Sequence, residues 1–214
     1  MYSVSAFAEK KGISVGRVRQ LVAAGEIPSE RSGSSVLIPD AALSWRPRSR
    51  RPLGERMAGA LLDTLIGKQP SVSDREMLRL RGQRQQLQSS ESPAVLLSDL
   101  LASRGRREKF SAHPDDLDDL RKDDRVLLSG AHIPEFGLTS GSSVEGYVAS
   151  DQFQAVKRDY LLRGDPGGNI VLRTSKQNPQ HIVPLAAADL ADWGAGRELR
   201  EANRVLRNLL KDAK

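Results

Sequence analysis

Arg17, Arg19 and Gln20 stand within four consecutive residues of the segment V-G-R-V-R-Q-L-V-A, whose Val15, Val18, Leu21 and Val22 recur at helical spacing. On a helix those apolar residues share one face, and the two guanidinium groups and the amide turn away from it. Arg and Gln carry paired hydrogen-bonding groups that match base edges in the major groove of duplex DNA, and a helix about 10–12 Å wide fits that groove. Ser14 caps this helix, whose amide end suits a phosphate. Gly16 lets the backbone approach a partner closely. Arg31, Ser32, Ser34 and Ser35 follow in a turn, R-S-G-S-S, placed to grip the adjacent backbone or minor groove. Arg46, Arg48, Arg50 and Arg51 cluster about Pro47 and before Pro52, in a stretch that lies along phosphates, serves as a solvated hinge, or does both. The competing reading of all these groups is a protein-binding helical hairpin whose arginines face water.

Patterns that would support catalysis are incomplete. The chain has no Cys, which removes disulfides, thiolate metal sites and thiol nucleophiles. His113, His132 and His181 are widely separated, and His113 precedes a proline, as in a turn or cap. Gly141-Ser142 could open a nucleotide-binding loop, but Asp151-Gln152-Phe153 follows in place of the Asp-x-Asp pair that would hold Mg²⁺. Asp116-x-Asp118 precedes that loop and falls on an acidic amphipathic stretch. Gly164-Asp-Pro-Gly-Gly168 lacks the lysine of a P-loop. Gly12-Ile-Ser-Val-Gly16 fits G-x-S-x-G but joins two helices, whereas a nucleophile elbow joins a strand to a helix. No catalytic residue, cofactor or metal is expected, and the chain is not expected to be an enzyme.

The elements that hold the Arg17 group can be read locally. Ser3 caps a helix with Val4, Phe7 and Ala8 inward, and Gly12 stops it. Only Ile13 separates that stop from Ser14, which forces a tightly folded helix pair. Gly25 and Pro28 end the second helix, Val36-Leu37-Ile38 forms a short strand, and Pro39-Asp40 opens a helical stretch to Trp45. The expectation is a winged helix-turn-helix over 1–45, then a basic Pro/Arg linker over 46–52.

Charge distribution agrees with that division. The 214 residues carry a net charge of +6, of which residues 1–52 supply an excess of five positive charges, while residues 110–214 are slightly acidic. A basic front joined to a mildly acidic back suits a polyanion-binding head attached to a part with another task. Aromatic residues are 4% of the chain, too few for a base-stacking platform on single strands. No apolar run approaches a bilayer span, and the first twelve residues lack the order of a signal peptide. The expected location is the cytoplasm, on the nucleoid when bound to DNA, with no membrane partner.

Behind the linker, residues 53–104 read as a helical subdomain: Leu53–Ile66, a helix opened by the capping box Ser73-Asp-Arg-Glu76, and one started by Ser92-Pro93. Residues 105–214 read as an α+β domain. Arg106–Ala112 is expected as an edge strand, Pro114–Lys122 as an acidic helix, and Arg125–Leu128 and Val144–Val148 as strands. Tyr160–Leu162 and Asn169–Arg173 are expected to pair as a hairpin around Asp165-Pro-Gly-Gly168. A terminal helix, about Arg197 to Leu210, turns Arg200, Arg204, Arg207 and Lys211 away from its apolar stripe. The fold class expected is mainly α with an α+β C-terminal part.

S-V-S-A-F-A and G-I-S-V-G-R-V-R-Q-L-V-A-A-G-E-I-P resemble the excisionase-type, MerR-like winged helix-turn-helix family. The longer order H-P-D-D-L-D-D-L, D-R-V-L-L-S-G, V-E-G-Y-V, D-Y-L-L, G-N-I-V-L-R and A-A-A-D-L-A-D, closed by a basic helix, is similar to actinobacterial antitoxin-like regulators of the abortive-infection AbiE class. This resemblance implies two tasks: repression of an operator in double-stranded DNA through the head, and neutralisation of a cognate nucleotidyltransferase-like toxin by the 105–214 part. One head offers a small interface, so two copies or repeated half-sites are expected, with a homodimer among the expected partners. Two other classes stay open, an excisionase-like recombination directionality factor and a ligand-sensing MerR-like regulator.

Overall fold

The computed structural model describes residues 1–212 except 24–25, 34, 46–50, 140, 166, 177–178 and 194–195. Two compact units divide the chain, one of Met1–Pro47 with Asp165–Gly167 and a larger one of Arg48–Gly164 with Gly168–Lys214. Together they make a mixed α/β protein, with nine α-helices and two sheets among the described residues.

The first unit runs β1 (Tyr2–Ser3), α1 (Val4–Lys11), α2 (Val15–Ala23), β2 (Glu30–Ser32), β3 (Ser35–Ile38) and a 3-10 turn over Asp40–Ser44. Its three-stranded antiparallel sheet has the order β1-β3-β2, with Tyr2 opposite Ile38 and Arg31 opposite Val36. Phe7, Ala8, Val18, Leu21, Ile27, Ile38 and Ala42 form its own core, so this small unit buries apolar residues from every one of its helices and from β3.

The second unit contains α3 (Glu55–Leu65), α4 (Asp74–Ser89), α5 (Pro93–Leu100), β4 (Arg106–Ser111), α6 (Asp116–Lys122), β5 (Val126–Leu128), β6 (Val144–Ala149), α7 (Phe153–Asp159), β7 (Arg163–Gly164), β8 (Ile170–Ser175), α8 (Ile182–Trp193) and α9 (Gly196–Asp212). The capping box forms as expected: the Ser73 amide and hydroxyl both donate to Glu76 Oε2, at 3.0 and 2.9 Å. Arg56 of α3 also pairs with Glu76, and these bonds, Arg56 first, draw the Glu76 pKa down to about 2. No helix among the described residues is long and apolar enough to cross a membrane.

The five-stranded sheet has the order β5-β6-β8-β4-β7, antiparallel except for the parallel pair β6–β8. Three expectations change in this unit. Residues 160–162 and 169–173 do not make a hairpin, because β4 lies between β7 and β8. The reason lies in β8 itself: Ile170, Val171, Leu172 and Arg173 are all buried, the signature of a central strand that needs neighbours on both sides. The Arg106 strand pairs with β8 along Arg106–Phe110 and with β7 only at Phe110 and Ser111, so it is interior to the sheet at that end alone. Nor do residues 53–104 stand apart from 105–214. Leu61, Leu65, Leu80, Leu87 and Leu97 share one core with Leu185, Ala186, Leu190 and Leu206, so α3, α4 and α5 bury their apolar faces against α8 and α9.

Candidate nucleic-acid interface

Short-range bonds fix α2. Ser3 Oγ accepts from the Ala6 amide at 3.2 Å and starts α1. Gly12, at φ 62°, ends α1 in the left-handed conformation that glycine adopts without a Cβ penalty, and its amide bonds to Glu9 O at 3.2 Å. Two residues later Ser14 Oγ accepts from the Arg17 amide at 3.1 Å, capping α2. Val18 and Leu21 are fully buried against Phe7, which fixes the rotation of the helix. Gly16, Arg17, Arg19, Gln20 and Ala23 are all exposed. Gly16, Gln20 and Ala23 point directly away from Val18, with Arg17 and Arg19 on either flank.

The structure therefore brings Ser14, Gly16, Arg17, Arg19 and Gln20 together on the outer side of one helix. Ser35, also exposed, begins β3 in the same unit, and Arg51 is exposed at the start of the second unit's described residues. Arg31 and Ser32 lie in β2, with Ser32 opposite Ser35. The side chains of Arg31 and Ser32, together with Ser34, Arg46, Arg48 and Arg50, lie outside the described residues.

A Cβ added at Gly16 would meet nothing within 4 Å. Packing within the chain gives no reason for glycine in the first turn of α2, where alanine would be the better helix former. Gly16→Ala is expected to stabilise the protein by about 0.5–1 kcal/mol. If the backbone there lies close to a partner, the same change weakens binding of that partner. Thermal melts beside duplex-binding titrations measure both signs at once.

Sequence reasoning missed the densest group of ionisable side chains, which lies in the second unit. Along β6 and β8 the residues alternate: Val144, Val148, Ile170 and Leu172 pack with α6 and α7, while Tyr147 and Arg173, opposite one another, face the other way. There α8 presents Asp189 and Asp192, one turn apart. Asp189 is fully buried and accepts from Arg104 Nε at 2.9 Å, Tyr147 Oη at 3.0 Å and Ser129 Oγ, with Arg173 Nε at 2.8 Å. Asp192 pairs with Arg104 Nη2 at 2.6 Å and with Arg173, and accepts from Ser98 Oγ. Burial alone would raise the Asp192 pKa, but Arg104 and Arg173 hold it well below the usual carboxylate range. Burial raises the Tyr147 pKa, and Asp189 adds to the effect. These opposite charges offset one another, so the cluster acts as a bracket clamping α8 to the sheet. Its sequence signal was the pair of Asp residues interrupting the apolar run A-A-A-D-L-A-D.

Comparison with protein-family models, with curated proteins and with solved structures finds no match to this chain.

Proposed function

We propose that this chain is a DNA-binding antitoxin and autorepressor, not an enzyme. In this reading the first unit is a winged helix-turn-helix, α2 its recognition helix and the β2–β3 pair its wing. The observation that carries the proposal is the exposed Gly16-Arg17-Arg19-Gln20 surface, set opposite the buried Val18 and Leu21 on a helix capped by Ser14. Arg17, Arg19 and Gln20 would bond base edges in the major groove, Ser14 and the α2 amide end would meet a phosphate, and the β2–β3 pair would meet the flanking backbone.

The second half of the proposal draws on the AbiE resemblance. A head with its own core leaves the larger unit available for a protein partner, which we assign as a nucleotidyltransferase-like toxin encoded beside it. Electrophoretic mobility shifts with the DNA upstream of the gene test the repressor half: a shift that persists under excess random duplex is expected, and equal competition by random duplex overturns it. Co-expression with the neighbouring gene's product tests the other half. Co-purification and rescue of growth are expected, and toxicity unchanged by the chain removes the antitoxin role.

A further inference from the structure

The outer side of α9 carries cations and no exposed apolar residue. Arg197, Arg200, Arg204, Arg207 and Lys211 recur at steps of three, four, three and four residues, which lines them along one edge of the helix, away from the buried Ala202, Leu206 and Leu210. All five are exposed, and the other exposed residues of α9 are Gly196, Asn208 and Asp212. Main-chain carbonyls hold three of the guanidinium groups: Arg197 donates to Gly137 O at 3.3 Å, Arg204 to Glu135 O at 3.0 Å and Arg207 to Glu91 O at 2.6 Å. Among the described residues only Arg204 of the five has a carboxylate partner, Glu201 at 2.6 Å.

Like charges one turn apart on a helix repel, and Arg200 and Lys211 have neither a carboxylate nor a carbonyl partner among the described residues to offset that repulsion. We infer that the stripe is a second binding surface, one that takes the phosphate backbone of duplex DNA without reading bases. Its span, about 21 Å at 1.5 Å per residue, matches about six phosphates of one strand, spaced about 3.4 Å apart along the duplex axis. Four of the five residues are Arg, whose forked donors match phosphate oxygens. An acidic protein partner would need an apolar or aromatic anchor at the centre of its contact, and the exposed side of α9 offers none.

This inference does not depend on α2, and its test is built to separate the two. The full chain is titrated onto a duplex of scrambled sequence between about 50 and 200 mM salt, a range over which phosphate contacts dominate. The variants are Arg200→Ala with Lys211→Ala, and the charge-preserving Arg200→Lys with Lys211→Arg. Both positions are exposed, and alanine is a strong helix former, so circular dichroism is expected to match the parent. The alanine pair is expected to lower the slope of log affinity against log salt by about 1.8, two phosphates at about 0.9 each. Its affinity at the lowest salt falls roughly tenfold or more, and the charge-preserving pair keeps the parent slope. An unchanged slope in the alanine pair overturns the inference. So does an equal loss in the charge-preserving pair, or capture of an acidic protein that depends on Arg200 and Lys211 while the slope stays whole. Failure of α2 to recognise an operator leaves every one of these readouts in place.

Discussion

Replacing Arg17 and Arg19 together by alanine is expected to erase the preference for the upstream operator over scrambled duplex. Each guanidinium can make a bidentate contact worth about 1–3 kcal/mol of discrimination against a wrong base. Each single change should therefore relax specificity by roughly fivefold to a hundredfold, with the pair losing nearly all of it. Arg17→Lys with Arg19→Lys separates base reading from simple attraction. Lysine keeps the charge but not the planar fork, so the salt slope should persist while discrimination collapses. The fold should survive both pairs, because the bond that caps α2 runs from the Arg17 backbone amide and not from its side chain. Competition titrations with operator and scrambled DNA give the ratio directly. Discrimination that is unaltered in the alanine pair would remove α2 as the reading element.

The parts of this molecule that were legible in sequence are those fixed within a few residues. Ser3, Gly12 and Ser14 announce where α1 ends and α2 begins, and Ser73 with Glu76 announces α4, because each cap satisfies a backbone group three or four residues away. The outward set on α2 follows from the same local arithmetic, since burial of Val18 and Leu21 dictates where Arg17, Arg19 and Gln20 must point. The sheet was less legible. Asp165-Pro-Gly-Gly168 signals a reversal, but a turn does not say which strand lies beside which, and β4 enters between β7 and β8 from far earlier in the chain. The bracket around Asp189 was hidden for the same reason. Arg104, Ser129, Tyr147, Arg173 and Asp189 come from five separate segments, and only the register of β6 on β8 brings Tyr147 beside Arg173.

Asp189→Ala should be among the most destabilising single changes in the chain. It leaves Arg104 and Arg173, both almost fully buried, with Asp192 as the remaining aspartate of the bracket, and it strips Tyr147 and Ser129 of their acceptor. Removing one partner from a buried ion pair costs about 3–5 kcal/mol, because an uncompensated charge stays in a poorly solvated site. Against a total stability of about 5–15 kcal/mol, that is at least about a fifth of the whole and, at the low end of the range, nearly all of it. Asp189→Asn tells charge from hydrogen bonding: it retains an acceptor for Tyr147 and Ser129 but not the negative charge. If charge dominates, urea unfolding should show Asn nearly as costly as Ala. A mild Asn variant would mean that the hydrogen bonds, not the ion pairs, hold α8 to the sheet. Acid should loosen the same bracket. Asp192 is held below its unfolded pKa of about 3.9, so below that pH the unfolded chain binds more protons than the folded one. The stabilisation is complete above about pH 4 and drains away as pH falls toward the folded value. Glu76, drawn down to about 2 by Arg56 and Ser73, contributes with the same sign over the same acid range. Melting temperature recorded at successive pH values should hold steady near neutrality and fall steeply below pH about 4. Replacing Asp192 by Asn should lower the plateau and flatten part of that fall, since one of the groups that link protons to folding is then gone.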